Sequence, residues 1–248
     1  KVLLGIWIGR DRAKNAHLID IAVSLAKDHP DTVSAIIVGS EVLLRGEMVA
    51  SDLREIIRSV KPRVDVPVTY ADVWEFWLRY REIGADVDFV TIHFLPYWED
   101  FPPRAEDAAA HVDGIRKQVA AAFPGKEILI GEAGWPSHGR MREGALASRI
   151  NQARFISELL DRARRENFRV NLFEAYDEPW KRRWEGTVGG YWGLFDSVET
   201  DAMGNLICRR KPRAKGKGKA TRVMLLCHMD EIGFYVTAID AKGFLWMN

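Results

Sequence analysis

Two glutamates stand at the ends of apolar runs. Ile128-Leu129-Ile130 leads through Gly131 into Glu132, and Ala35-Ile36-Ile37-Val38 leads through Gly39-Ser40 into Glu41. Three or four aliphatic residues in a row read as a strand buried on both faces. Each carboxyl is therefore delivered where a buried strand gives way to a loop. In an α/β barrel, that end of the strands is where chemistry is done. A single such glutamate is more often a salt-bridged structural acid. Two of them can face each other across a barrel mouth, one held protonated as an acid and the other ionised. Cleavage of a glycosidic bond needs that pairing.

The elements that must position these acids follow from hydrophobic period. Val2 to Ile8, Val33 to Gly39, Val66 to Tyr70, Val87 to Phe94, Glu127 to Gly131 and Val170 to Ala175 read as strands. Between them, 16–27, 51–60, 73–81, 105–123 and 151–167 carry helical spacing. Ser51 is placed to cap the second helix, with Leu53, Ile56, Ile57 and Val60 inward, and the long fifth helix turns Phe155, Leu159 and Leu160 inward. Gly131 is expected to let another backbone approach closely, and Pro136 to stop its strand. Strand–helix alternation of this kind argues for parallel strands joined by right-handed crossovers. The fold class is α/β.

The motifs narrow this further. Val38-Gly39-Ser40-Glu41-Val42-Leu43-Leu44-Arg45-Gly46 and Gly131-Glu132-Ala133-Gly134-Trp135-Pro136-Ser137 resemble the two catalytic signatures of glycoside hydrolase family 17. Phe173-Glu174-Ala175-Tyr176-Asp177-Glu178-Pro179-Trp180-Lys181 and Gly190-Tyr191-Trp192-Gly193-Leu194-Phe195-Asp196 are similar to the bacterial branch of that family. The resemblance spans residues 1–196. It implies a TIM-barrel-like (β/α)8 fold that lacks the usual first two strands; a C-terminal β segment is a candidate to complete the open edge. It also implies a retaining hydrolase or transglycosylase acting on β-1,3-glucan, an oligosaccharide or polysaccharide, with Glu132 as nucleophile and Glu41 as acid/base. No cofactor and no metal are implied. One position departs from the pattern: the family usually carries Asn before the acid/base, and Ser40 stands there. An Asn amide reaches the sugar 2-hydroxyl, whereas a serine hydroxyl is shorter, so weaker activity is expected.

The resemblance also nominates a binding set. Tyr97, Trp98, Trp135, Trp180, Tyr191 and Trp192 are candidate sugar-stacking rings, although a tryptophan is more often core. Glu178, Lys181 and Glu185 match a polar cluster below the nucleophile; read from composition alone they are equally surface charges at a helix start. His93, at a strand exit, is a satisfied hydrogen-bonding histidine or a substrate contact.

Composition is that of an ordinary globular chain of 248 residues with nine Trp and eleven Phe. Net charge is +1, but eight basic residues fall between Arg209 and Arg222, which leaves 28 basic against 35 acidic side chains elsewhere. This Lys/Gly-rich run, within 197–222, reads as a solvated linker; no aromatic interleaving or motif supports nucleic-acid binding. Two cysteines, Cys208 and Cys227, are too few for a disulfide framework. No apolar run is long enough for a bilayer and no signal peptide is visible, while family 17 proteins are often extracytoplasmic in bacteria. Residues 223–248 resemble a fragment of the M42 metallo-aminopeptidases around Val223-Met224-Leu225-Leu226-Cys227-His228-Met229-Asp230-Glu231-Ile232-Gly233. His228 is the metal-binding histidine of that motif, but the rest of the ligand set is absent, so the tail reads as two borrowed strands and not a peptidase. Such a join has the look of a chimera. Val223 to Cys227 and Phe234 to Ile239 are expected to form a hairpin, or one of them to cover the open edge beside Val2–Ile8. Left open, that edge is a route to oligomerisation. The rival reading is a catalytically impaired carbohydrate-binding or scaffold protein.

Overall fold

The computed structural model describes residues 1–195 and, beyond them, the backbone of four short strands, Val198–Thr200, Leu206–Cys208, Val236–Ile239 and Leu245–Met247. In chain order the first part runs β1 (Val2–Ile6), α1 (Arg12–Asp28), β2 (Val33–Ser40), α2 (Ala50–Val60), β3 (Val68–Val73), α3 (Trp74–Arg79), β4 (Val90–His93), α4 (Ala105–Ala122), β5 (Ile128–Ala133), α5 (Arg149–Glu166), β6 (Val170–Leu172) and α6 (Arg182–Glu185). The six strands form one parallel sheet in sequential order, β1-β2-β3-β4-β5-β6. Helices fill the crossovers between them. This is a partial (β/α) barrel with six of the eight strands of a closed one, as expected from the sequence.

The chain divides into two compact units. The first takes in β1–β4 and the Ile128–Gly131 part of β5. Strands β2 to β4 and this part of β5 are buried on both faces, as continuous apolar runs require: Ile36, Val38, Val68, Val90, Ile92 and Ile130 are each fully buried, whereas β1 is only partly buried before Ile6. Asp11 caps α1, accepting from the Ala13 and Lys14 amides at 3.0 Å. The expected Ser51 cap does not form. Val49 is the capping residue of α2 and offers no side-chain acceptor, while Ser51 lies inside the first turn with its hydroxyl against Asp52. Leu53, Ile57 and Val60 face inward as expected, and Ile56 is only half-buried.

The second unit contains the end of β5, α5 and β6. Ser148 caps α5 through the Asn151 amide, and Asn167 closes it in the left-handed region at φ 53°. Phe155 and Leu159 are buried, but Leu160 is 37% exposed, on the flank of the stripe and not at its centre. Strand β5 continues past Gly131 through Glu132 to Ala133, whose carbonyl accepts from the Phe173 amide at 2.9 Å. Its end therefore precedes Pro136 by three residues, and Pro136 does not define it.

Val198–Thr200 (β7) and Leu206–Cys208 (β8) pair antiparallel. Val236–Ile239 (β9) pairs antiparallel with Leu245–Met247 (β10) in a two-stranded sheet. The sequence predicts Val223–Cys227, or the open edge beside Val2–Ile8, as a neighbour of this segment. Val223–Cys227, Cys227, His228, the basic run 209–222 and the boundaries of the two tail segments lie outside the described residues. Among the described residues no helix is long and apolar enough to cross a membrane.

Candidate active site

Glu41 leaves β2 through a turn that the sequence makes unusually tight. Gly39 has φ +86° and Glu41 has φ +54°, so two of three consecutive residues are left-handed. A Cβ on Gly39 would stand 2.7 Å from Val42 Cγ2, so glycine is required there on both counts. The turn is held from three sides. The Glu41 amide donates to the Ala71 carbonyl at 2.8 Å, and the Arg45 amide donates back to the Glu41 carbonyl at 2.8 Å. The Arg45 guanidinium donates to the carbonyls of Ser40 and Ile8 and to Glu47, while its plane lies over the Trp7 ring at 4.1 Å.

The Glu41 carboxyl is partly exposed and meets a buried histidine: His93 Nδ1 lies 2.8 Å from Glu41 Oε1. His93 ends β4 and is 5% exposed. Gly131 belongs to this packing. A Cβ there would strike Thr91 Cγ2 at 2.5 Å and approach the His93 ring at 3.1 Å. The close neighbours that demand glycine are thus β4 side chains, and not the backbone that the sequence suggested.

Sequence reading missed a second pair in this unit. Tyr70 and Asp72 of β3 are both buried, and the Tyr70 hydroxyl donates to Asp72 Oδ2 while accepting from the Leu43 amide at 3.1 Å. Burial pushes the Asp72 carboxyl up to about 6, although the bonds from Tyr70 and the Val73 amide pull the other way. Burial, then the Asp72 charge, push the Tyr70 hydroxyl up as well. The available signal was the i, i+2 spacing, which puts both side chains on one face of a strand.

In the second unit, Glu132 occupies the penultimate position of β5, half-buried between Gly131 and Ala133. Gly134 follows Ala133 under a severe constraint, because a Cβ there would lie 2.0 Å from the Phe173 carbonyl oxygen. Beyond Phe173, a buried charge cluster forms. Lys181 Nζ is 2.9 Å from Glu174 Oε2 and 2.7 Å from Glu178 Oε2, and 4.6 Å above the Phe173 ring. Lys181 and Glu178 are each 4% exposed, so they are not surface charges at a helix start. Burial raises the Glu174 carboxyl to about 8; Lys181 opposes that and the Glu178 charge adds to it, with Glu185 contributing in the same sense. Burial works against the Lys181 ammonium, but the two carboxylates outweigh it and hold Lys181 above its ordinary value. Glu174 lies within the Phe173–Lys181 motif, and nothing local in the sequence marks it as the partner of Lys181.

The proposed stacking rings divide. Tyr97, Trp135 and Trp192 are fully buried, with Tyr97 meeting each of the two tryptophans edge-to-face, and Trp135 also lies beside Phe155. Tyr97 donates to the Arg140 carbonyl and Trp135 Nε1 to the Leu146 carbonyl. These three are core and offer no face to a sugar. Trp98 is half-buried against Tyr97 and Trp192, with Arg142 over its ring at 5.4 Å. Tyr191 is half-buried between His138 and Arg182, and Trp180 is 41% exposed.

Comparison with known proteins bears on what this arrangement is for. The model of the BtgE/BtgC glycoside hydrolase domain matches residues 1–193. The chain belongs to this family. A glycoside hydrolase family 17 β-1,3-glucanosyltransferase from Rhizomucor miehei superposes on this domain with a TM-score of 0.66 at 30% identity, over 79% of the present chain and 71% of that one. A glucan 1,3-beta-glucosidase of Schizosaccharomyces pombe is 31% identical over 215 residues, which is 80% of the present chain and 65% of the yeast protein. The domain thus spans slightly under two thirds of that relative. An endo-laminarinase from Formosa, at 23% identity and a TM-score of 0.66, shares the fold. The M42 glutamyl aminopeptidase model matches residues 204–248, where the structure describes only short strands.

Proposed function

We propose that this BtgE/BtgC domain is a retaining glycoside hydrolase or transglycosylase acting on β-1,3-glucan. Glu132 is the nucleophile and Glu41 the acid/base. The observation that carries the reading is that both signature glutamates stand at strand exits within the matched family region, and that a buried histidine holds Glu41 by one oxygen. The Glu132 carboxylate attacks the anomeric carbon, the bond to the leaving oxygen breaks, and the Glu41 proton goes to that oxygen. Glu41, now ionised, takes a proton from water or from a sugar hydroxyl, whose oxygen attacks the same carbon and frees Glu132. His93 bonded to Oε1 leaves Oε2 of Glu41 to carry the proton in both steps. Hydrolysis and transfer, the two activities for which relatives are named, can both proceed from such a covalent intermediate, and access of water to it separates the two outcomes. Trp180 is the exposed ring available for stacking on a glucan, and Trp98 and Tyr191, both half-buried, can meet it only through the parts of their rings that are not covered. Lys181, Glu178 and Glu185, together with Glu174, form the polar support at the end of β6.

One observation favours a second reading. The described sheet has six strands where a closed barrel has eight, and a displacement of about 1 Å at reacting groups costs roughly a hundredfold. A carbohydrate-binding scaffold without turnover would result. Incubation with an activated 2-fluoroglucoside, followed by peptide mass spectrometry, separates the two. The expected result is a glycosyl adduct on the peptide bearing Glu132 that is lost in Glu132→Ala. Intact laminari-oligosaccharides and no adduct would establish the scaffold.

A further inference from the structure

We propose that Tyr70 and Asp72 act together as a latch that positions Glu41 for proton transfer. The proposal rests on the reading of Glu41 as acid/base. Strand β3 grips the Glu41 turn at two points. The Ala71 carbonyl accepts from the Glu41 amide at 2.8 Å, and the Tyr70 hydroxyl accepts from the Leu43 amide at 3.1 Å. The second grip works only if the Tyr70 proton points away from Leu43. An ionised carboxylate is an acceptor only, so Asp72 Oδ2 fixes that proton on its own side and leaves a lone pair toward the Leu43 N–H. Asp72 is itself fixed, because its Oδ1 accepts from the Val73 amide at 2.8 Å.

The cost of this arrangement argues that it has a purpose. A carboxylate at 0% exposure is expensive to keep, and an aliphatic side chain would fill the same space. Its hydrogen bonds run to Tyr70 and to the Val73 amide of its own strand, and through Tyr70 they reach the turn that carries Glu41. That turn needs outside support, since Glu41 at φ +54° does not adopt its conformation unaided. Arg45 secures the Ser40 and Ile8 side of the turn, so loss of the latch loosens residues 41–43 without dismantling the rest. Tyr70 and Asp72 are thus positioning residues. They touch the backbone beside the reacting carboxyl and need not touch a sugar.

The test compares two leaving groups. A laminari-oligosaccharide needs its leaving oxygen protonated, whereas 2,4-dinitrophenyl β-laminaribioside does not, so a displaced acid slows glycosylation of the first alone. Tyr70→Phe and Asp72→Ala are each expected to lower kcat on laminari-oligosaccharides about 10- to 100-fold with KM within twofold. The glycosylation rate on the dinitrophenyl substrate should stay within threefold. Glu41→Gln serves as reference and should show the same selectivity more strongly. An equal loss on both substrates, or no loss, in the latch variants while Glu41→Gln is selective would overturn the latch alone. Absence of selectivity in Glu41→Gln, or no turnover by the parent, would remove the acid/base reading and the latch with it. Should Tyr70→Phe fail to fold, Asp72→Ala keeps the ring in place and decides the same comparison.

Discussion

Replacing Lys181 by Met isolates the charge in the cluster behind β6. Methionine nearly matches the lysine stem in volume, so packing on Phe173 survives while the ammonium is lost. Two carboxylates then remain, Glu174 with its side chain 13% exposed and Glu178 with 5%, having lost bonds of 2.9 and 2.7 Å. Removing one partner of a buried ion pair costs about 3–5 kcal/mol. For a chain of this size, that amounts to a fall in Tm of about 6–20 °C. The pH dependence has a definite sign. Glu174 is raised to about 8 from 4.5, so in the parent its contribution to stability is fully present below the lower value and is lost as pH rises through 8. Without the ammonium, both carboxyls bind protons more tightly, and the deficit of Lys181→Met should be smallest at pH 5 and largest at pH 9. Urea unfolding at pH 5, 7 and 9 measures it. A variant within 1 kcal/mol of the parent at pH 9 would show that Lys181 does not compensate the buried carboxylates, and the account of the cluster would be wrong.

Two further substitutions probe the neighbouring segments. Gly134→Ala places a methyl 2.0 Å from the Phe173 carbonyl oxygen, next to the Phe173–Ala133 hydrogen bond, and should cost about 1–3 kcal/mol by thermal unfolding; an unchanged Tm would mean that the two strand ends separate freely. Ser40→Asn should raise kcat on laminari-oligosaccharides by supplying an amide to the sugar 2-hydroxyl, and an unchanged or lower rate would count against that role for the position.

Much of this molecule is legible in its sequence, because aliphatic runs such as Ile128–Ile130 and Ala35–Val38 admit few alternatives to a buried parallel strand. The same runs place Glu41 and Glu132 at strand ends. Legibility fails where an answer depends on partners distant in the chain. Ser51 has the side chain of a cap, but the chain enters α2 at Val49, two residues earlier. Tyr97, Trp135 and Trp192 are rings in strand-end loops, and nothing local distinguishes a ring packed against other rings from one open to a ligand. Glu178 and Lys181 are spaced i, i+3 as a surface pair would be, and it is Glu174, seven residues before Lys181, that turns the pair into a buried cluster. Tyr70 and Asp72 carry the right alternation to share a face, but their target is an amide 27 residues away.

The turn that carries Glu41 also sets how this protein can vary. Gly39 and Glu41 have positive φ, and Gly39 has no room for a methyl, whereas Ser40 between them does not share that backbone restriction. Saturation of the three codons should therefore return a lopsided tolerance profile, in which position 40 accepts many side chains and its flanks accept almost none. A directed-evolution library aimed at activity would do best to spend its diversity on that middle codon.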